Sequence, residues 1–77
     1  MEPLHNVTLR QVGSIRRLVV SRGFGFIRTE DGRDWFFHYT ELKGPRPFNG
    51  LTEGENVSFV GVPDAPKGPR ATDVETV

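Results

Sequence analysis

Phe24 and Phe26 in one short run, and Phe36 and His38 in another, are each spaced two residues apart, within Arg22-Gly23-Phe24-Gly25-Phe26-Ile27 and Trp35-Phe36-Phe37-His38-Tyr39. Residues two apart on a β-strand project from the same face. Glu30-Asp31-Gly32-Arg33 between the runs carries the Asp-Gly signal of a hairpin turn. Antiparallel pairing around that turn sets Phe26 opposite Phe36 and Phe24 opposite His38. The expected product is a flat two-by-two aromatic platform flanked by arginines, a surface on which unpaired bases stack.

The competing reading is that phenylalanines are core, since burying each is worth about 1.5–3 kcal/mol. The alternation argues against this for the set. Gly25 and Ile27 share the opposite face of the first run, Trp35 and Phe37 that of the second. Ile27, Trp35 and Phe37 are enough to line a small barrel, which has one interior. The second aromatic face is then left to solvent, and a contiguous exposed apolar patch marks an interaction surface.

Other chemistry finds little support. The chain has no cysteine, which excludes disulfides, thiolate metal sites and a cysteine nucleophile and fits a reducing, cytoplasmic setting. His5 and His38 are far apart in sequence, and Asp34 and His38 would lie about 13 Å apart along a strand. No metal-ligand spacing or phosphate-cradling glycine loop is present, so the expectation is a protein that is not an enzyme and uses no cofactor. No apolar run reaches the roughly 18 residues of a membrane span. Met1-Glu2-Pro3-Leu4-His5-Asn6 lacks the basic start and apolar stretch of an export signal.

Ten basic residues balance ten acids, but their distribution is uneven. Arg10, Arg16, Arg17, Arg22, Arg28 and Arg33 face only Glu30 and Asp31 in the same segment. A local positive face on a neutral molecule is therefore expected beside the aromatic platform.

Seventy-seven residues with nine glycines and six prolines make one domain of short strands and tight turns. Residues 1–12 read as a weakly patterned N-terminal extension, free to be mobile, and residues 13–77 as the folded domain. Strands are expected at Gly13–Val20, Phe24–Thr29, Asp34–Tyr39, Val57–Val62 and Arg70–Val77. Ile15 and Leu18 are three apart, so a bulge near Arg16 and Arg17 is needed to bring both inward. The stretch from Thr40 to Gly54 is irregular, with one helical turn around Thr40–Leu42, and Pro63–Pro69 is a loop. Five strands without a substantial helix point to an all-β, antiparallel barrel.

The first aromatic run resembles the first ribonucleoprotein-type motif of bacterial cold-shock proteins, and Phe36-Phe37-His38-Tyr39 is similar to the second. Gly13-Ser14-Ile15-Arg16, Asp31-Gly32-Arg33-Asp34, Leu51-Thr52-Glu53-Gly54 and Lys67-Gly68-Pro69-Arg70-Ala71 fit further family segments in order. The resemblance implies a five-stranded OB-type Greek-key barrel that binds single-stranded RNA or DNA with loose sequence preference and acts as an RNA chaperone or regulator of transcription or translation. It implies that Phe24, Phe26, Phe36 and His38 stack bases and that Tyr39 and Phe48 extend the platform. Asp34 would hydrogen-bond a base edge, while Arg16, Arg22 and Lys67 would contact phosphates or base edges. It also leads to a cytoplasmic protein, expected to be a monomer without a small-molecule cofactor.

Two positions depart from the family pattern. Arg17 stands where a stacking tryptophan is usual, though a guanidinium can still lie flat on a base. Trp35 stands where a valine is usual, so different packing is expected inside the barrel. The alternative reading is an OB-type protein-interaction module that docks through its aromatic face or its N-terminal extension.

Overall fold

The alternation of large apolar residues with small or polar ones is resolved, in a computed structural model that describes residues 10–77, into five strands. These are β1 (Arg10–Val19), β2 (Phe24–Arg28), β3 (Asp34–His38), β4 (Asn56–Val62) and β5 (Arg70–Thr76). β2 to β5 begin and end within a residue of the sequence expectation. β1 starts at Arg10, three residues before the expected Gly13, because Arg10 to Ser14 pair with Val60 to Asn56 of β4. Three residues of the expected extension are thus strand, and the rest of it lies outside the described residues.

The strands close into a barrel in the order β1-β2-β3-β5-β4. Four of the five seams are antiparallel, but β3 and β5 run parallel, with Phe36 beside Arg70. The fold is the expected all-β, five-stranded barrel, antiparallel at every seam but this one. The reason is arithmetic: an odd number of strands cannot alternate in direction all the way round a closed ring.

Ile15, Ile27, Trp35, Phe37, Val57, Phe59, Ala71 and Val74 fill the interior, all at most 2 % exposed, and Leu51 plugs one end. The expected bulge in β1 is present. Ile15 pairs with Ile27 and Arg17 with Phe26, which leaves Arg16 as the extra residue. This offset turns both Ile15 and Leu18 toward the core and turns Arg17 to the outer face.

Two glycines make room for the large interior rings. A Cβ on Gly25 would stand 2.7 Å from the Arg17 carbonyl oxygen and 2.9 Å from the Phe37 ring. A Cβ on Gly61 would stand 2.6 Å from Cζ3 of Trp35. The interior indole at position 35 is therefore accommodated by the missing side chain at position 61, which accounts for the different packing expected there. The indole Nε1–H donates to Thr29 Oγ1 at 3.0 Å, and that hydroxyl donates to Asp31 Oδ1 at 2.6 Å. Asp31 Oδ1 also accepts from the Arg33 amide at 3.1 Å, so one chain of bonds ties the β2–β3 turn to the largest core residue.

Single helical turns at Val20–Arg22, Tyr39–Glu41 and Phe48–Gly50 shape the connections. The second lies one residue before the turn expected at Thr40–Leu42. The long connection after it is anchored where the Lys43 amide donates to the Val74 carbonyl at 2.8 Å. Arg46 pairs with Glu55 and donates to the Gly50 carbonyl.

The pairing of Trp35 with Gly61 is testable by urea denaturation. Gly61→Ala should destabilise the domain by about 1–3 kcal/mol through overpacking. The same change in a Trp35→Val background should cost much less, so that the double variant loses less stability than the sum of the two single changes.

Candidate nucleic-acid interface

Strand pairing places the four expected rings together on the outer face. Phe24 lies opposite His38 and Phe26 opposite Phe36, and all four are half-buried. Their inward neighbours on the same strands, Gly25, Ile27, Trp35 and Phe37, are buried. The division into an inner and an outer set is thus as expected.

The platform is not flat. The Phe24 and Phe36 rings are tilted by 30° with centroids 5.4 Å apart. Phe26 stands nearly perpendicular to Phe24, at 89° and 6.0 Å, and edge-on to Phe36, at 72° and 5.8 Å. Edge-to-face contact satisfies the ring quadrupoles better than a coplanar array would. The row continues through His38 to Tyr39 at 4.6 Å, and from Tyr39 to Phe48 at 6.4 Å. Phe48 also rests edge-on against Phe37, 5.8 Å away, so it joins the surface row to the core. His38 Nδ1 lies 3.0 Å from the Thr40 hydroxyl, which orients the imidazole.

Three shallow hollows surround the rings. The first, about 520 Å³, is lined by Arg16, Arg17, Phe26, Arg28, Asp34 and Glu53. The second, about 440 Å³, lies between Arg22, Tyr39, Phe48 and Asn49. The third, about 460 Å³, is enclosed by Phe26, Phe36, Arg70 and the β4–β5 loop with Pro66 and Lys67. All eleven residues singled out from the sequence therefore border the platform or belong to it.

Asp34 has a partner that the sequence reading missed. Both of its carboxylate oxygens accept from Arg28 across the β2–β3 ladder, from Nε at 2.8 Å and Nη2 at 3.1 Å. These bonds leave each oxygen a lone pair for a base edge. The Arg28 hydrogen bonds hold the Asp34 carboxyl below its ordinary range, with nearby Arg16 adding a smaller pull. The Thr29 hydroxyl and the Arg33 amide do the same for Asp31.

Arg70 and Glu53 are further members of the surface. The Arg70 guanidinium lies 5.5 Å from the centre of the Phe36 ring, in cation–π range. Its placement follows from the parallel β3–β5 register, which an all-antiparallel barrel conceals. Glu53 reaches β1 by accepting the Leu18 amide at 3.0 Å. The Leu18 amide is available there because β1 leaves β4 at Ser14, and no local pattern in the sequence marks it. Among the described residues no cluster of three or more His, Asp or Glu could hold a metal ion, and no helix is long and apolar enough to cross a membrane.

A small closed β-barrel with an outward aromatic row bordered by guanidinium groups is a single-strand-binding architecture. The family model described as 'Cold-shock' DNA-binding domain matches residues 11–77, and the chain belongs to that family. It is 46% identical over 66 residues to "Probable cold shock protein A" of Mycolicibacterium smegmatis, covering 84% of this chain and 96% of that one. It is 41% identical over 68 residues to "Major cold shock protein CspA" of Pseudomonas aeruginosa, covering 88% and 96%. Among solved structures it is similar to "drosophila Unr CSD456", with a TM-score of 0.74 and 25% identity over 95% of this chain and 29% of that one. The chain binds single-stranded nucleic acid and acts as a nucleic-acid chaperone.

Three depressed carboxyls, Asp31, Asp34 and the Glu55 held by hydrogen bonds from Arg46, give a signed pH dependence. A carboxyl lowered by folding contributes stability above its unfolded value, about pH 4, and that contribution disappears as pH falls through the folded value. The urea midpoint should therefore drop as pH falls below about 4. Asp34→Asn should make that drop shallower, because Arg28 then has no titrating partner.

Proposed function

We propose that Phe24, Phe26, Phe36 and His38 each offer a ring to a base of an unpaired RNA or DNA strand. Tyr39 and Phe48 extend the track toward Arg22. Arg16, Arg17, Arg22, Lys67 and Arg70 meet phosphates or base edges along its borders, and Asp34 accepts from a base edge while Arg28 holds it in place. The observation that carries this reading is the outward row of half-buried rings on β2 and β3. Half-buried aromatic rings in lateral contact are supported by their neighbours yet keep surface for one more stacked partner.

The protein acts by binding alone, without catalysis or cofactor, as a cytoplasmic monomer. Its chaperone action is mass action: a protein that binds the unpaired strand and not the duplex shifts every hairpin equilibrium toward the open form. Loose sequence preference follows because every base has a π-face, while a neutral net charge keeps phosphate attraction local to the arginine borders.

Titration with heptauridine over a range of salt concentrations tests this directly. The log–log slope should be about −0.7 for each phosphate contacted. Phe26→Ala and Phe36→Ala should each weaken binding by about 1–3 kcal/mol with the fold retained. Arg17→Trp should tighten binding and make the salt slope shallower, since a charge is exchanged for a stacking surface opposite Phe26. Unchanged affinity in both phenylalanine variants would remove the platform from the mechanism.

A further inference from the structure

The hollow beside Phe26 has a composition that phosphate binding does not explain. Three guanidinium groups line it, from Arg16, Arg17 and Arg28, but so do the carboxylates of Asp34 and Glu53. Two carboxylates repel a phosphate and weaken any backbone contact made there. They become favourable only against hydrogen-bond donors, and the donors of a nucleic acid are on its bases.

The charged groups are also unevenly committed. Arg28 and Asp34 satisfy each other through two hydrogen bonds. Among the described residues neither Arg16 nor Arg17 is in an ion pair. Glu53 is fixed through one oxygen, Oε2, which accepts the Leu18 amide at 3.0 Å. Leu18 directly follows Arg17, and Arg17 lies opposite Phe26 in the strand register. A stacking ring, a free guanidinium fork and a held carboxylate thus converge on one hollow.

We propose that this hollow is a guanine subsite. The inference rests on the platform reading above and names the base taken at its Phe26 end. Guanine is the base that carries a pair of acceptors, O6 and N7, next to a pair of donors, N1–H and the N2 amino group. An arginine fork matches the first pair, and a carboxylate accepts from both members of the second. Adenine offers a donor where the arginine fork needs an acceptor. Uracil has a single N–H flanked by two carbonyls, one of which would face the carboxylate. With Phe26 beneath the base, Arg17 takes the O6/N7 edge and Glu53 takes the N1/N2 edge. The exchange of an aromatic ring for Arg17 then gives up stacking area in return for selectivity.

The test uses the full chain and heptauridine in which the central nucleoside is uridine, adenosine, guanosine, inosine or 7-deazaguanosine. Guanosine should bind about tenfold tighter than uridine or adenosine, the discrimination of a good bidentate pair. Inosine, which lacks the N2 amino group, and 7-deazaguanosine, which lacks N7, should each lose a large part of that gain. Glu53→Gln should abolish the preference for guanosine over inosine. Arg17→Lys, which keeps the charge but loses the fork, should abolish the preference for guanosine over 7-deazaguanosine. Equal binding of all five oligonucleotides would overturn the guanine subsite and leave the platform standing. Failure of every oligonucleotide, heptauridine included, to bind would overturn both.

Discussion

The alternation of side chains on the β2–β3 hairpin governs the rest of the molecule. Ile27, Trp35 and Phe37 are sealed in the barrel with at most 2 % of their surface exposed, and this burial fixes the register of the hairpin. A slip of one residue would carry all of them to solvent and bring Phe24, Phe26, Phe36 and His38 inside. Hydrophobic burial of one ring set is therefore what holds the other set at the surface. Phe48, on the turn that precedes β4, touches both sets, meeting the interior Phe37 and the outer Tyr39.

The position of the charges follows from the same geometry. The bulge at Arg16 shifts the outer face of β1 by one residue and sets Arg17 opposite Phe26. Closure of five strands forces the parallel β3–β5 seam, which sets Arg70 beside Phe36. Guanidinium groups therefore border the rings on both sides, although acids and bases are equal in number across the chain. Net charge is a poor guide to what such a surface attracts, because screening confines each group's influence to about 8–10 Å.

Much of this was legible in the sequence, for physical reasons that differ from element to element. Period-two alternation and the Asp31-Gly32 turn were enough for the hairpin and its register, since both are local. The three-residue spacing of Ile15 and Leu18 was enough for the bulge. The parallel seam and the room that Gly61 makes for Trp35 depend on residues brought together by barrel closure. Arg28 and Asp34 are near in sequence, and their pairing needed only the hairpin register to be followed one rung further. Glu53 is a clearer case: its place beside Arg17 comes from a loop meeting the end of a strand pairing, and no periodic pattern encodes that.

The most direct test of the partition of rings is aromatic side-chain NMR during titration with heptauridine. The account requires large shifts of the Phe24, Phe26, Phe36 and His38 ring resonances, saturating together, while those of Trp35, Phe37 and Phe59 stay nearly still. Saturable binding in which the interior rings move and the outer four do not would contradict it.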